Sequence, residues 1–200
     1  FPVFLPSHTL KPIAMYKVTL LLSATLMLTY PTFSQLIKRD VKNTETKMEA
    51  FTSKTGELVK FIDTHLPDLT LSYGSIVKTR IRKMISGTEV QYFYQIEHPV
   101  NNSSHTASIE YSDLMDVIKA VRSLKAEVPK DISLKPDYLE NKFTTTDGFQ
   151  LGYDVSNGKA NWFIKLENTG SAKLIVVNDI DKIETAFTQA KTKIEDLKKL

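Results

Sequence analysis

Residues 149–166 read FQLGYDVSNGKANWFIKL, and this stretch decides the fold. Its centre, Asn157-Gly158, is the dipeptide most typical of a two-residue β-hairpin turn. Apolar and polar residues alternate on both sides of the turn, which predicts two antiparallel strands. The predicted pairs are Phe149 with Leu166, Leu151 with Ile164, and Tyr153 with Trp162. This register places the large apolar side chains on one face, whereas a one-residue slip would divide them between two faces.

A second stretch of the same kind lies upstream, where residues 76–97 read IVKTRIRKMISGTEVQYFYQIE. We place its turn at Ser86-Gly87, between two alternating segments. The predicted pairs are Val77 with Ile96, Thr79 with Tyr94, and Ile81 with Tyr92. The chain therefore contains two predicted hairpins of similar length.

A third strand and then a helix follow each hairpin. The first copy continues with Thr106–Tyr111 and a helix that we expect to begin after an N-cap at Ser112. The second continues with Ala172–Val177 and a helix after an N-cap at Asn178. Serine and asparagine are favoured at the N-cap because their side chains accept hydrogen bonds from free backbone N–H groups.

Each copy also has a leading strand. In the second copy this strand is Lys142–Thr146. In the first copy, Met48–Lys54 turns at Thr55-Gly56 into a strand over Glu57–Asp63, and Thr64–Ser75 is an insertion. The sequence thus predicts an α+β fold of two tandem β-meander-plus-helix units, with antiparallel sheets each covered by one helix on one face. We expect each helix to pack on the sheet of its own unit.

The two units align in sequence, which indicates an internal repeat. Gly87, Phe93, Glu97, Ile109, Asp113 and Ala120 match Gly158, Phe163, Glu167, Ile175, Asp179 and Ala186. Few residues are identical, but the order of elements agrees, as expected of a duplicated unit.

The N-terminal region has the pattern of a secretory signal peptide. Met15 and Lys17 precede an apolar run, Val18–Leu28, which is followed by small residues at Thr32 and Ser34. That run is shorter than the roughly 20 residues that span a bilayer, so we expect cleavage and no stable membrane anchor. We expect an exported protein, periplasmic or extracellular, whose mature chain begins near Gln35. The predicted segments are an upstream, non-native stretch (1–14), the signal peptide (15–34), a flexible lead-in (35–47), the first unit (48–126), a linker (127–141) and the second unit (142–200).

Composition limits the classes of function. The chain has 26 basic and 23 acidic residues and no cysteine. Without Lys11 and Lys17 of the predicted leader, 24 basic residues remain against 23 acidic ones. A surface this close to neutral offers no electrostatic basis for binding nucleic acid or anionic membranes. The lack of cysteine excludes disulfides, lipidation at cysteine and cysteine-type zinc sites.

A basic stripe on one strand is the one feature that suggests nucleic acid. Lys78, Arg80 and Arg82 share the outward face, and Phe93 lies across from Arg80 in the predicted register. The order of elements resembles that of the Pur-type and whirly-type repeats, which implies a curved sheet that binds single strands. The resemblance is in element order alone. The same face carries glutamates and glutamines, so we predict a stripe that pairs with its own sheet, and no nucleic-acid partner.

Two histidines flank one predicted loop. His98 and His105 lie on either side of Pro99–Ser104 and can face each other across a hairpin, near Glu97 and Glu110. Two histidines are too few for a closed metal site, because no third ligand has a determined position. We predict surface histidines and no metal.

Large aromatic residues supply the candidate ligand-binding residues. Tyr92, Tyr94, Tyr153 and Trp162 lie on the predicted inner faces, where they can line a pocket or form the core between sheet and helix. No catalytic residue and no cofactor is predicted. We therefore expect a non-enzymatic protein that binds a protein partner or small ligand in the cell envelope, on the sheet surface or at the seam between units. The alternatives are an envelope hydrolase with an unrecognised site and a structural envelope protein without a specific ligand.

Overall fold

The computed structural model describes residues 45–100, 103–167 and 174–200. The predicted upstream segment and signal peptide, and nearly all of the predicted lead-in, lie outside these ranges. The described residues belong to one compact unit of the chain, residues 43–200.

The described residues form two antiparallel four-stranded sheets and three α-helices. Sheet 1 contains β1 (Val59–Thr70), β2 (Ile76–Ser86), β3 (Glu89–Val100) and β4 (Ser103–Glu110), in that order across the sheet. Sheet 2 contains β5 (Leu139–Thr144), β6 (Gln150–Ser156), β7 (Lys159–Lys165) and β8 (Ile175–Val177), also in order. The helices are α1 (Lys47–Thr52), α2 (Tyr111–Ser133) and α3 (Ile180–Lys198). The predicted α+β class with two meander-plus-helix units is confirmed.

The second hairpin has the predicted register. Tyr153 pairs with Trp162, as its alternation requires. Asn157 and Gly158 have φ angles of 52° and 71°. Both central residues thus adopt the positive φ of a type I′ turn, whose twist matches that of the flanking strands.

The first hairpin has a different register from the predicted one. Ser86 pairs with Glu89, so the turn is Gly87-Thr88, and Ile81 pairs with Tyr94 where we expected Tyr92. The shift is two residues, and it keeps every side chain on its predicted face because side chains alternate with a period of two.

The segment predicted as the strand Met48–Lys54 is instead the helix α1. Thr46 and Glu49 form a reciprocal capping box at its start, with Thr46 N donating to Glu49 Oε2 over 2.8 Å. The spacing Thr-x-x-Glu is the sequence signature of this cap. The helix buries Phe51 against Met84 and Phe93 on the outer face of sheet 1.

The predicted insertion Thr64–Ser75 is mostly strand. β1 runs to Thr70, and its register against β2 shifts between Leu66 and Leu69. Pro67, which has no N–H to donate, lies at this irregularity, and prolines in sheets are confined to such bulges and to edge strands. The interruption of the alternation at Pro67 caused the prediction of an insertion.

Helix α2 is longer than predicted and extends through Pro129 into the predicted linker. Packing compensates for the backbone hydrogen bond that proline cannot make, because Val128 and Ile132 contact the core. The N-caps also differ by one or two residues from the predicted Ser112 and Asn178. They are Glu110 and Asp179, whose carboxylates accept bonds from the first-turn amides.

The helices do not pack as expected. α3, which follows sheet 2 in the chain, contacts β1 and β2 of sheet 1. α2, which follows sheet 1, contacts β5, β6 and β7 of sheet 2 as well as β3 and β4. A helix of 23 residues is about 34 Å long and can reach both sheets. Helix α2 therefore packs on both sheets, including the sheet of its own unit, and α3 covers β1 and β2 of the sheet of the other unit.

One continuous core results from this exchange. Phe187 of α3 is fully buried and makes edge-on ring contacts with Tyr94 of sheet 1 and with Phe149, which precedes β6. The ring centroids are 5.7 Å and 6.1 Å apart. Such T-shaped pairs add stability beyond their buried area. The two units thus share their interior.

Candidate functional site

A cavity of about 580 Å³ lies where α3 meets sheet 1. Its lining comes from the end of β1, from single residues of β2 and β3, and from the β8–α3 connection with the first half of α3. Leu66, Leu69, Leu71, Val177 and Ile183 supply apolar surface. The cavity exists because the helix of the second unit covers the sheet of the first.

The irregular end of β1 forms one wall. The register shift between Leu66 and Leu69 displaces this segment from a regular ladder. The Thr79 hydroxyl donates to the Pro67 carbonyl over 2.9 Å and holds the segment against β2. Ser72 then donates from its hydroxyl to Asn178 Oδ1 over 2.7 Å, which joins this wall to the β8–α3 connection. Side-chain hydrogen bonds therefore fix both ends of the wall.

The start of α3 forms the opposite wall. Asp179 is its N-cap, and Oδ1 accepts from the amides of Asp181 and Lys182 at 3.1 Å and 3.4 Å. Ile183, one turn into the helix, is 1% exposed and turns inward. The polar end of the helix thus lies at the mouth of the cavity, with apolar side chains below it.

Tyr94 is one of the lining residues, and its hydroxyl is a buried polar group. Its side chain is fully buried. The hydroxyl makes no hydrogen bond of regular geometry with the described residues, and it has almost no accessible surface, so it does not face the open space of the cavity. The neighbouring Thr79 hydroxyl, which donates to Pro67, can still accept from Tyr94. Burial raises the pKa of Tyr94 well above its ordinary value, and the contact with Thr79 opposes this shift in part, so the hydroxyl keeps its proton at neutral pH.

The four predicted aromatic residues do not form one surface. Tyr94 lines the cavity, and its neighbour Tyr92 instead lies near the end of α3, where its hydroxyl donates to the Leu197 carbonyl over 3.2 Å. Tyr153 and Trp162 belong to sheet 2 and pack on each other with ring centroids 4.9 Å apart. The structure thus separates the set into two pairs and places Tyr94 in the cavity lining.

Tyr153 belongs to a buried polar cluster in sheet 2. Its hydroxyl donates to Asp131 Oδ2 over 2.6 Å, and Asn141 Nδ2 donates to the same hydroxyl over 3.3 Å. Burial, followed by the bond to Asp131, raises the pKa of Tyr153 to about 12. Because every member has a partner, the cluster joins α2 to sheet 2 and serves a structural role.

The basic stripe is largely neutralised by its own sheet. Arg80 donates to Gln95 and to Glu97, each over 2.7 Å. Arg82 makes a bidentate pair with Asp63, with N–O distances of 2.8 Å and 2.7 Å. Guanidinium groups held in this way have few free donors for phosphate.

His98 and His105 face each other across β3 and β4, as expected. The His98 ring nitrogen Nε2 lies 2.8 Å from the Ser75 hydroxyl, and His105 Nδ1 lies 3.8 Å from Glu167 Oε2. Burial, and then the neighbouring His105, lower the pKa of His98. Among the described residues, no group of three or more potential ligands is placed to hold a metal ion.

Sequence reasoning missed most of the cavity lining. The predicted insertion contains the wall from Leu66 to Leu71, and the start of α3 was assigned to sheet 2. Pro67 within an alternating segment was the available signal, because proline in a strand indicates a bulge. No local sequence pattern indicates that the helix on β1 and β2 comes from the second unit.

Comparisons with protein-family models, curated proteins and solved structures found no match to this chain. In the part of the chain that the structure describes, none of the helices combines the length and apolar character needed to cross a membrane.

Proposed function

We propose that this protein is a non-enzymatic binding protein that holds a small, largely apolar molecule in the cavity between sheet 1 and α3. The observation that carries the proposal is the cavity itself, whose lining combines polar groups with the apolar side chains of Leu66, Leu69, Leu71, Val177 and Ile183. The seam between the two units is one of the two ligand positions that we expect from the sequence, beside the sheet surface.

The dimensions and chemistry of the cavity support a small ligand. Its volume of about 580 Å³ is within the range of roughly 300–1,000 Å³ typical of small-molecule sites. Such sites combine a mainly apolar lining with a few polar groups that orient the ligand. Thr185 and Gln189, both on α3, supply polar groups of this kind.

The protonated state of Tyr94 favours binding over catalysis. A general base or nucleophile must lose its proton near the working pH. Burial shifts the pKa of Tyr94 in the opposite direction. The hydroxyl therefore keeps its proton, and Tyr94 does not serve as a base or nucleophile.

A matched pair of α3 variants tests this function. Ala186 lines the cavity, whereas Thr192 of the same helix is exposed and outside the lining. The neutral fluorophore N-phenyl-1-naphthylamine is the probe. We expect saturable binding to the unmodified protein, strong loss of binding in Ala186→Phe because the phenyl ring fills the cavity, and no change in Thr192→Phe. Equal binding by Ala186→Phe and the unmodified chain would place the probe elsewhere and contradict the proposal.

Hydrolysis is a second candidate function, favoured by one observation. The Ser75 hydroxyl and His98 Nε2 are 2.8 Å apart, the separation of a nucleophile from its general base. The group facing His98 across the sheet is another histidine, His105, and not the carboxylate that orients the base in a triad. A fluorophosphonate should label the unmodified protein and Ser72→Ala but not Ser75→Ala. That result would establish this activity. Equal labelling of all three proteins would exclude Ser75.

We also propose that the protein acts outside the cytoplasm. The support is the pattern of Lys17 and the apolar run Val18–Leu28. When the full chain is produced in bacterial cells, we expect a shortened product in the exported fraction. Leu21→Arg interrupts the apolar run and should retain the full-length chain in the cytoplasm, whereas Thr19→Ser should not. Export of the Leu21→Arg variant would contradict this proposal.

A further inference from the structure

Strand β1 lies at the edge of sheet 1 and has one free side. Among the described residues its only neighbour in the sheet is β2. Such an edge offers backbone N–H and C=O groups to any other strand, unless proline, a bulge or charge protects it. The bulge and Pro67 protect the part of β1 beyond Leu66. Residues 59–66 contain neither proline nor a bulge, so this part of the edge is open to pairing.

The turn of the first hairpin determines which backbone groups of β1 point outward. Ser86 and Glu89 flank a two-residue turn and therefore form a hydrogen-bonded pair between β2 and β3. Such pairs alternate along antiparallel strands, so the odd-numbered residues of β2 bond to β1 instead. One of them is Lys83, whose partner on β1 is Ile62. The odd-numbered residues of β1 consequently direct their N–H and C=O groups away from the sheet. They are Val59, Phe61, Asp63 and His65.

This open part of β1 also carries exposed apolar side chains. Phe61 is 47% exposed and Ile62 is 45% exposed. Phe61 lies on the outer face, where the Arg82 guanidinium is 5.5 Å from the centroid of its ring. Ile62 lies on the inner face, beside Lys83. A strand added at this edge would therefore cover apolar surface on both faces of the sheet.

We infer that β1 pairs with β1 of a second copy of this chain, antiparallel and centred on Ile62. A two-fold axis perpendicular to the sheet relates the copies, so each contributes the same surface. The two sheets then form one continuous sheet. The facing pairs are Ile62 with Ile62, Phe61 with Asp63, Lys60 with Thr64, and Val59 with His65. The inference goes beyond the proposed function, because this pairing stops before Leu66, where the cavity wall begins.

Charge and strand length favour this register over its neighbours. With Ile62 at the centre, no two charged side chains face each other. Moving the centre to Asp63 would place two aspartates opposite each other, which is destabilising. Moving it one residue further would place Phe61 opposite Pro67, which has no N–H to donate. Moving it the other way, to Phe61, would leave His65 without a partner, because its counterpart would lie before the start of β1.

Engineered cysteines test the register, because the chain has no cysteine of its own. Ile62 bonds to β2, so in the dimer it faces its counterpart as a non-hydrogen-bonded pair, the kind in which side chains are closest. The Cβ atoms of such pairs come within reach of a disulfide. With diamide as oxidant, we expect the full chain carrying Ile62→Cys to form a cross-linked dimer. Val90→Cys is the control, since Val90 is 44% exposed on the same face but belongs to the interior strand β3. It should cross-link much more slowly.

Sedimentation equilibrium tests the association itself. We expect the mass of the unmodified chain to rise toward that of two chains as the protein concentration increases. Ile62→Lys should remain a single chain at the same concentrations, because two ammonium groups would face each other across the axis. Val90→Lys introduces the same charge at a similarly exposed position and should associate like the unmodified protein. Thermal unfolding of both variants checks that they are folded.

The outcomes decide the inference without reference to the cavity. Cross-linking of Ile62→Cys together with loss of association in Ile62→Lys would support it. A chain that remains single up to about 100 µM would overturn it, whether the edge stays free or binds another protein. Association that persists in Ile62→Lys, or equally fast cross-linking of Val90→Cys, would also overturn it, because another surface would then be responsible. Binding of N-phenyl-1-naphthylamine should be the same in Ile62→Lys and the unmodified chain, so the proposed function is tested separately.

Discussion

The Tyr153 hydroxyl donates to Asp131 Oδ2 across 2.6 Å, which joins an interior strand of sheet 2 to the last turns of α2. Asp131 is 8% exposed and Tyr153 is fully buried. A hydrogen bond to a buried charged group is stronger than one between neutral groups. This contact lies beyond Pro129, where the sequence predicted a linker, and it helps to explain why the helix continues there.

Tyr153→Phe should therefore destabilise the protein. The substitution removes the hydroxyl but keeps the ring that packs on Trp162, and it leaves the buried Asp131 carboxylate without its closest donor. We expect the free energy of unfolding to fall by about 1–3 kcal/mol, measured by urea denaturation. Tyr138→Phe is the control, because Tyr138 is exposed and its bond to Glu140 is at the surface. Equal stability of the two variants would show that the Asp131 contact contributes little.

Gly152→Ala should destabilise sheet 2. A Cβ atom at Gly152 would lie 2.4 Å from the Asn141 carbonyl oxygen and 2.6 Å from Lys142 Cβ, so β5 and β6 would have to separate. We expect a loss of about 2 kcal/mol or more, as for overpacking in a core, measured by thermal and urea unfolding. Lys159→Ala on the neighbouring strand β7, where the side chain is exposed, should change stability by less than about 0.5 kcal/mol. A Gly152→Ala protein as stable as this control would contradict the close approach of the two strands.

His98 should make stability depend on pH. Burial and the facing His105 lower the pKa of His98, so its protonated form is disfavoured in the fold. The contribution of His98 to stability is complete above the ordinary histidine pKa of about 6.5 and decreases as the pH falls below it. The groups that face this pair are Ser75 and Glu167.

The measurement is the melting temperature between about pH 7.5 and about pH 5.5. We expect a smaller decrease in His98→Gln than in the unmodified protein, since glutamine does not titrate and can still accept from Ser75. His65→Gln, on the exposed edge strand, should behave like the unmodified protein. If the melting temperature of His98→Gln falls as much as that of the unmodified protein, groups other than His98 cause the pH dependence.

Nucleic acid should bind weakly or not at all. Arg80 and Arg82 are paired with Glu97 and Asp63, and the Lys78 ammonium alone of the stripe makes no ion pair or hydrogen bond with another described residue. Fluorescence anisotropy with a labelled oligothymidylate should show no saturable binding below about 100 µM at physiological salt. Saturable binding that Arg80→Ala weakens and Lys119→Ala does not would overturn this prediction, since Lys119 is exposed on α2.

Local sequence patterns predicted the strands correctly where both the turn residues and the alternation of apolar and polar residues are clear. The Asn157-Gly158 turn and the alternation around it determine both the face and the register of the second hairpin. In the first hairpin the faces are correct, but the register differs by two residues because the turn is Gly87-Thr88. A shift of two residues leaves the alternation unchanged, so only the turn geometry distinguishes the registers.

Two segments were misassigned because local signals conflicted. The capping box of Thr46 and Glu49 marks α1, but the helix has only 6 residues and too few turns to show a clear period. Pro67 interrupts the alternation of β1, and this concealed the end of the strand. That end is a wall of the cavity, so the error also concealed the candidate site. The duplication of the two units and the export of the chain stay predictions.

The sequence by itself determined the α+β class, the four-stranded second meander and the inward faces of the strands in both hairpins. These properties depend on neighbours within a few residues, whose periodicity can be read directly. The tertiary structure alone decided that α3 covers β1 and β2 of sheet 1, and that a cavity lies between them. This choice depends on the length of α2 and on apolar contacts between residues as distant as Tyr94 and Phe187. A helix with one apolar face can pack on either sheet, so its periodicity does not specify the partner.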